Sequence, residues 1–259
     1  PGGGMLSRQV FEVPTYRDRF YAEIDRLLKE VFTPEILDAH FKTVGARLMP
    51  LIRSLPQDQR EWRTEAIHAF QDRAFRRIEI ARSRALAEAG FGDKAIESIE
   101  GALQRHPDHP ELLYHQAVLL DGMGRTAAGI RVFERLLKQR PDEANVMNAL
   151  GYTLADRKRQ LPRAEKLVRA ALDQRPDNAA YLDSLGWVLF RRGKTQDALP
   201  LLERAWRLSK EAEIAAHWGE ALWASGDRAA AQRVWAQALL LSPESKPLRD
   251  VIERFAERR

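Results

Sequence analysis

Cysteine is absent from the 259 residues, so this chain can form no disulfide bond, no zinc–cysteine site, no cysteine nucleophile and no lipid-anchored cysteine. Residues that favour β-strands are also scarce, with 11 valines, 11 isoleucines and 7 threonines against 36 alanines and 32 leucines. Alanine and leucine favour helices, whereas β-branched residues favour strands. The composition therefore argues against an all-β fold and predicts an all-helical protein.

Long apolar runs are missing as well. No stretch approaches the roughly 20 apolar residues that span a bilayer. The start, Pro1 to Met5, has neither the basic nor the apolar region of a signal peptide. We expect a chain without a membrane span, in which residues 1–14 are a tag or a disordered leader. The 42 basic and 37 acidic residues are mixed along the chain, and no basic arm stands out.

Catalytic motifs are the third absence. The chain has no P-loop, no GxSxG and no GxGxxG that follows a strand. His106 and His109 form an HxxH, but they lie at a turn without the helical HExxH pattern of zinc enzymes. We therefore expect no enzyme activity, no cofactor, no metal site and no small-molecule substrate.

The chain instead contains a repeat of about 34 residues. Proline turns follow helical stretches at Pro107, Pro141, Pro176 and Pro243, and a period of 33 to 35 residues accounts for their spacing. Each interval between turns has the pattern of two helices. The repeat therefore predicts a row of helical hairpins.

Small residues recur at fixed places in these hairpins. In the middle of each first helix they are Ser83, Ala117, Gly151, Gly186 and Gly219. Near the start of each second helix they are Ala95, Gly129, Ala164, Ala198 and Ala231, and a large apolar residue follows four positions later. The alternation lets the ridges of one helix enter the grooves of the next. Glycines that favour left-handed backbone are expected to end first helices at Gly124, Gly193 and Gly226.

These residues resemble those of tetratricopeptide repeats. The resemblance implies an all-α, right-handed superhelical solenoid of about five repeats over residues 73–245, bounded at about 73–107, 108–141, 142–176, 177–210 and 211–243. Residues 246–259 have one apolar face and are predicted to cap the last repeat.

Residues 15–72 lack the repeat and are predicted to form an amino-terminal helical module. Within residues 13–55, Val13-Pro14, Tyr16, Phe20 and Pro34 resemble the helical tail of CotH-type spore-coat kinase-like proteins. That resemblance implies an alternative function, in which this chain is the accessory region of a larger kinase-like enzyme. Generic amphipathic helices explain the same residues.

The repeat register also predicts a binding groove, lined by the first helix of each repeat. Aromatic residues are suited to anchoring a partner, and asparagines can hydrogen-bond a peptide backbone. Alternatively, these side chains pack against the second helix of an adjacent repeat. The predicted groove residues are Tyr114, Asn145, Asn148, Tyr152, Asp183, Trp187, Phe190, Glu220 and Trp223.

The stretches 148–157, 181–190 and 213–223 resemble the carboxy-terminal repeats of proteobacterial tetratricopeptide lipoproteins, over about residues 108–245. The resemblance implies a non-catalytic scaffold or envelope adaptor that binds proteins or peptides, for a protease or assembly machinery. It suggests the periplasm or the outer membrane, with the bacterial cytoplasm as the alternative. A homo-oligomer is compatible with the sequence.

Nucleic-acid binding is a third hypothesis, which rests on basic clusters such as Arg191-Arg192 and Arg157-Lys158-Arg159.

Overall fold

The computed structural model describes residue 73 and residues 75–256. The predicted leader, the amino-terminal module and the segment with the CotH-type resemblance lie outside the described residues. In the described part of the chain all regular structure is helical, with no strand, which confirms the all-α prediction. The described residues divide into two compact units, with the boundary between Leu119 and Leu120.

Eleven helices follow one another through the described residues. They are α1 (75–88), α2 (Gly92–Arg105), α3 (Pro110–Gly122), α4 (Thr126–Gln139), α5 (Ala144–Asp156), α6 (Leu161–Gln174), α7 (Ala179–Arg191), α8 (Thr195–Leu208), α9 (Ala212–Ser225), α10 (Arg228–Leu241) and α11 (Lys246–Ala256). In the repeat register, α5, α7 and α9 are first helices, and α6, α8 and α10 are second helices.

The first unit is held together by polar contacts as well as by apolar packing. Glu79 of α1 is buried, accepts a hydrogen bond of 3.0 Å from Ser98 of α2 and lies 3.5 Å from Arg105. The hydroxyl group of Ser83 lies 2.8 Å from Nε2 of His115, and both side chains are buried. The small residue Ser83 therefore leaves room for a hydrogen bond between helices rather than only for close packing.

In the second unit, the small residues at the middle of the first helices are in close contact with second helices. A Cβ atom added at Gly151 would lie 2.5 Å from Cγ2 of Val168, and one at Gly186 would lie 2.6 Å from Cγ of Leu202. At Gly219 it would overlap the indole ring of Trp235. The predicted close approach of the paired helices is thus confirmed.

The first helices end in left-handed backbone. The predicted positions have φ values of 76° at Gly124, 79° at Gly193 and 98° at Gly226. At the equivalent position after α5 the chain has Lys158, with φ of 51°, and Gln160 nearby has φ of 45°. The turn between α5 and α6 therefore places two non-glycine residues in a region that L-amino acids disfavour.

The helices of the second unit pack in sequence, and the first helices also pack on one another. α5 packs against α6, α7 against α8, and α9 against α10, while α7 contacts both α5 and α9. The predicted cap α11 buries Leu248, Val251 and Phe255 and packs against α9 and α10. None of the described helices is both long and apolar enough to cross a membrane.

Candidate functional site

Most of the predicted groove residues lie on the three adjacent first helices of the second unit. Because α7 packs between α5 and α9, these helices form a common face. We call it the first-helix face and define it by Asn145, Asn148, Tyr152, Asp183, Trp187, Phe190, Glu213, His217 and Glu220. Of the other predicted residues, Tyr114 lies on α3 in the first unit, and Trp223 lies in a separate aromatic cluster.

A buried pair of charged groups lies at the centre of this face. Nδ1 of His217, on α9, is 3.0 and 2.9 Å from the two carboxylate oxygens of Asp183, on α7. Burial alone would lower the pKa of His217, but the carboxylates of Asp183, Glu213 and Glu220 outweigh that effect and raise its pKa above the ordinary value. The imidazole is therefore suited to carry a positive charge beside Asp183.

Trp187 belongs to the same cluster. Its ring stacks on the imidazole of His217, with the ring centroids 4.1 Å apart, and lies 5.4 Å from the ring of Phe190. Trp187 is only 3% exposed and Asp183 only 5%. The sequence predicted open groove side chains at these two positions. They are covered instead, because α7 and α9 pack closely enough for His217 to contact both.

Tyr152 crosses the face above α7. Its hydroxyl group donates a hydrogen bond of 2.6 Å to Oε1 of Glu213 in the first turn of α9. Its ring lies 5.8 Å from that of His217. Burial and then the nearby Glu213 carboxylate raise the pKa of the Tyr152 hydroxyl, so this group stays a neutral donor. The contact joins α5 to α9, the two helices that flank α7.

The two asparagines of α5 differ in what they contact. Oδ1 of Asn145 accepts a hydrogen bond of 2.5 Å from the hydroxyl group of Tyr181. Oδ1 of Asn148 is buried and has no hydrogen-bond partner, and the same holds for the indole Nε1 of Trp187. Buried polar groups are nearly always paired in folded proteins. An unpaired acceptor and an unpaired donor on one face are therefore notable.

The carboxy-terminal side of the face is closed by α11. Arg254 donates a hydrogen bond of 2.6 Å to Glu220, which is 8% exposed. Trp223 packs on Trp235 and Phe255, with ring centroids 5.9 and 5.3 Å away. The predicted groove residue Trp223 therefore packs where α9, α10 and the cap α11 meet. The three aromatic rings and Ile252 also line a shallow cavity there.

Three residues of the site were not among the predicted groove residues: Glu213, His217 and Arg254. The separation of 34 residues between Asp183 and His217 is one repeat length. Equivalent positions of neighbouring first helices are adjacent in such a fold. A search for opposite charges one repeat apart would have found this pair.

The described residues contain no group of three or more histidine, aspartate or glutamate side chains placed to hold a metal ion. Three of the basic residues singled out in the sequence are engaged in contacts within the protein. Arg191 donates to the carbonyl oxygen of Asp156 at 2.7 Å, Arg192 pairs with Glu165, and Arg157 lies 3.5 Å from Asp121.

Stacked helical hairpins with a polar and aromatic face on their first helices define a helical-repeat protein of the interaction class. Two models of the tetratricopeptide repeat match the chain, over residues 86–151 and 153–213. The matched residues of this chain are tetratricopeptide repeats, and such repeats indicate a scaffold for protein interactions. Proteins of this family are generally non-catalytic.

One relative is the TPR repeat-containing protein PA4667 of Pseudomonas aeruginosa. It is 32% identical over 143 residues, which cover 55% of this chain and 24% of that protein. The chain therefore matches about a quarter of the length of this relative.

Solved structures share the fold. TTC0263, a thermophilic TPR protein of Thermus thermophilus, is 23% identical, with a TM-score of 0.60 over 69% of this chain and 96% of that one. MamA (41-end) from Desulfovibrio magneticus RS-1 is 19% identical, with a TM-score of 0.50 over 66% of this chain and 96% of that one. At these identities the likeness shows the fold alone.

Proposed function

We propose that this chain is a non-catalytic scaffold that binds an extended segment of a partner protein along the first-helix face. The observation that carries the proposal is the pair of unpaired polar atoms, Oδ1 of Asn148 and Nε1 of Trp187, on one face beside aromatic rings. A peptide backbone offers an N–H donor and a carbonyl acceptor at every residue. Such a backbone would pair both atoms.

The aromatic residues add apolar area for the same ligand. Phe190 and Tyr152 are half-buried, so part of each ring is accessible to a partner. Aromatic side chains supply much of the binding energy in protein interfaces. Trp187 itself is buried. In the proposed complex its ring supports Phe190 and His217, and its N–H group donates a hydrogen bond to the ligand.

Site-specific photocrosslinking tests the proposal. Benzoylphenylalanine is placed at Asn145, an exposed position of α5, or at Leu208, which is 51% exposed at the end of the second helix α8. Each variant is irradiated in a lysate of the source organism, and crosslinked peptides are identified by mass spectrometry. We expect a defined set of peptides at position 145 that is absent at 208. Equal crosslinking at the two positions would contradict the proposal.

A finer role is that of an envelope adaptor that presents substrates to a carboxy-terminal processing protease. The resemblance of residues 108–245 to lipoprotein repeats supports this role. The same crosslinking experiment tests it, because the peptides captured at position 145 should then come from such a protease or from envelope proteins. Peptides from cytoplasmic proteins alone would exclude the envelope role and leave the scaffold function in place.

A further inference from the structure

Glu213 differs from the other carboxylates of the first-helix face in its partner. Asp183 pairs with His217, and Glu220 pairs with Arg254. Glu213 is exposed, and within the described part of the chain its one hydrogen bond comes from the neutral hydroxyl group of Tyr152. Among the described residues, no nitrogen of lysine, arginine or histidine lies within ion-pair distance of Glu213. The imidazole of His217, whose pKa Glu213 helps to raise, already pairs with Asp183, so the negative charge of Glu213 is balanced only in part.

The charges around Glu213 are also predominantly negative. The imidazole of His217 is close to three carboxylates, those of Asp183, Glu213 and Glu220. The nearby cations are already engaged, since Arg254 binds Glu220 and Arg191 lies over the ring of Trp187, with 5.0 Å between its Cζ and the ring centroid. The face thus presents an exposed carboxylate that has no arginine or lysine partner among the described residues, although the whole chain has a net charge of +5.

The contact between Tyr152 and Glu213 joins α5 to α9, the two helices that flank α7, which carries Trp187. The unpaired N–H group of Trp187 and the amide oxygen of Asn148 lie on this face, and both are shielded from solvent. A buried unpaired polar group costs about 1 to 3 kcal/mol. Separation of Tyr152 from Glu213 costs one exposed hydrogen bond. A ligand that pairs the N–H group of Trp187 and the amide oxygen of Asn148 would offset the loss of the hydrogen bond between Tyr152 and Glu213.

We propose that Glu213 binds a lysine or arginine side chain of an extended partner peptide, which replaces the hydroxyl group of Tyr152. This inference rests on the proposed function and names the chemistry of its partner. Tyr152 offers the Glu213 carboxylate a neutral donor, whereas a lysine or arginine side chain adds a full positive charge to the hydrogen bond, so a cationic side chain competes well with the tyrosine. The ring of Tyr152, which lies beside Glu213, then packs on the aliphatic stem of the lysine or arginine.

The test uses three pools of fluorescein-labelled nonapeptides that have random flanking positions and differ only in a central lysine, glutamine or glutamate. The full chain is titrated with each pool, and binding is measured by fluorescence anisotropy. Besides the wild type, the variants are E213Q and Y152F. The control E203Q changes an exposed glutamate of the second helix α8 that pairs with Arg207.

For the wild type and E203Q, we expect the lysine pool to bind about fivefold or more tightly than the glutamine pool, and the glutamate pool to bind most weakly. E213Q should remove the difference between lysine and glutamine while the glutamine pool still binds. Y152F should increase the affinity for the lysine pool by about two- to fivefold, because no hydroxyl group competes for Glu213.

Equal binding of the lysine and glutamine pools by the wild type would overturn the proposed cation site and leave the peptide-binding function standing. A preference for the lysine pool that persists in E213Q would also overturn the proposed cation site. Failure of every pool to bind the wild type would overturn both the cation site and the proposed function.

Discussion

The imidazole of His217 lies within 3.0 Å of both carboxylate oxygens of Asp183. Both side chains are buried, with 8% of the His217 side chain and 7% of the Asp183 side chain exposed. The pair joins α9 to α7 in the middle of the first-helix face. Trp187 stacks on the same imidazole. The geometry of the proposed binding face therefore depends on a buried ion pair, and this dependence has consequences for stability that can be measured.

The first prediction concerns pH. The folded-state pKa of His217 is raised above 6.5, so its contribution to stability is fully present below about pH 6.5 and is lost as the pH rises through the folded-state pKa. Asp183→Asn removes the carboxylate that pairs with the buried imidazole and favours its charged form, so the stability that the ion pair contributes is lost. We expect this substitution to lower the free energy of unfolding by about 3 kcal/mol at pH 6 and by less at pH 9.

Urea unfolding of the wild type and Asp183→Asn at several pH values measures this difference. Asp173→Asn, at an exposed position of α6, is the matched control and should change stability little at any pH. A difference between wild type and Asp183→Asn that is independent of pH would show that the pair does not titrate as described.

The second prediction distinguishes Trp187, which supports the first-helix face, from Tyr152, which is proposed to contact a ligand. Trp187→Ala should lower the free energy of unfolding by about 3 to 5 kcal/mol, because it removes a large buried ring. Tyr152→Phe should lower it by no more than about 1 kcal/mol, because Glu213 is exposed and recovers hydrogen bonds to water. Denaturant melts of both variants test this, and a small loss for Trp187→Ala would contradict the buried position of the ring.

A third prediction tests the close approach of the paired helices. Gly186→Leu should lower the free energy of unfolding by about 1 to 3 kcal/mol or more, because the added side chain overlaps Leu202. The control is Gly101→Ala in α2, where an added Cβ atom meets nothing within 4 Å. That substitution should stabilise by about 0.5 to 1 kcal/mol through higher helix propensity. Thermal unfolding followed by circular dichroism distinguishes the two directions.

The fourth prediction concerns the turn after α5. Lys158 adopts a left-handed conformation at the position where the other first helices end in glycine. Lys158→Gly should raise the free energy of unfolding by up to about 1 kcal/mol, because glycine adopts this conformation without steric cost. Gly193→Ala, at the equivalent turn after α7, should lower it by a similar amount. If both substitutions destabilise, backbone conformation is not what limits the turn at Lys158.

The sequence was sufficient to predict the all-helical fold, the repeat and the close helix contacts, because these depend on residue types at a fixed spacing. Gly151, Gly186 and Gly219 are examples, and all three lie against a second helix. Seven of the nine positions that define the first-helix face followed from the same register, whereas Glu213 and His217 were not predicted.

The contacts within the face were not predicted. The bonds of Asp183 with His217, of Glu220 with Arg254 and of Tyr152 with Glu213 join residues 34, 34 and 61 positions apart. These contacts depend on how far one hairpin is rotated and shifted against the next, which the period alone does not define. For the same reason the sequence did not predict that Trp187 is buried while Phe190 remains partly exposed.

The most direct test of the central claim is the NMR signal of the Trp187 indole N–H group, followed as the lysine pool is added to the ¹⁵N-labelled chain. Trp187→Phe and Trp206→Phe assign the two signals, and Trp206 on the second helix α8 is the internal reference. The account predicts that the Trp187 signal shifts downfield as its unpaired N–H group gains an acceptor, while the Trp206 signal does not move. Saturated binding with no change at Trp187, or with a change at Trp206 alone, would contradict peptide binding at the first-helix face.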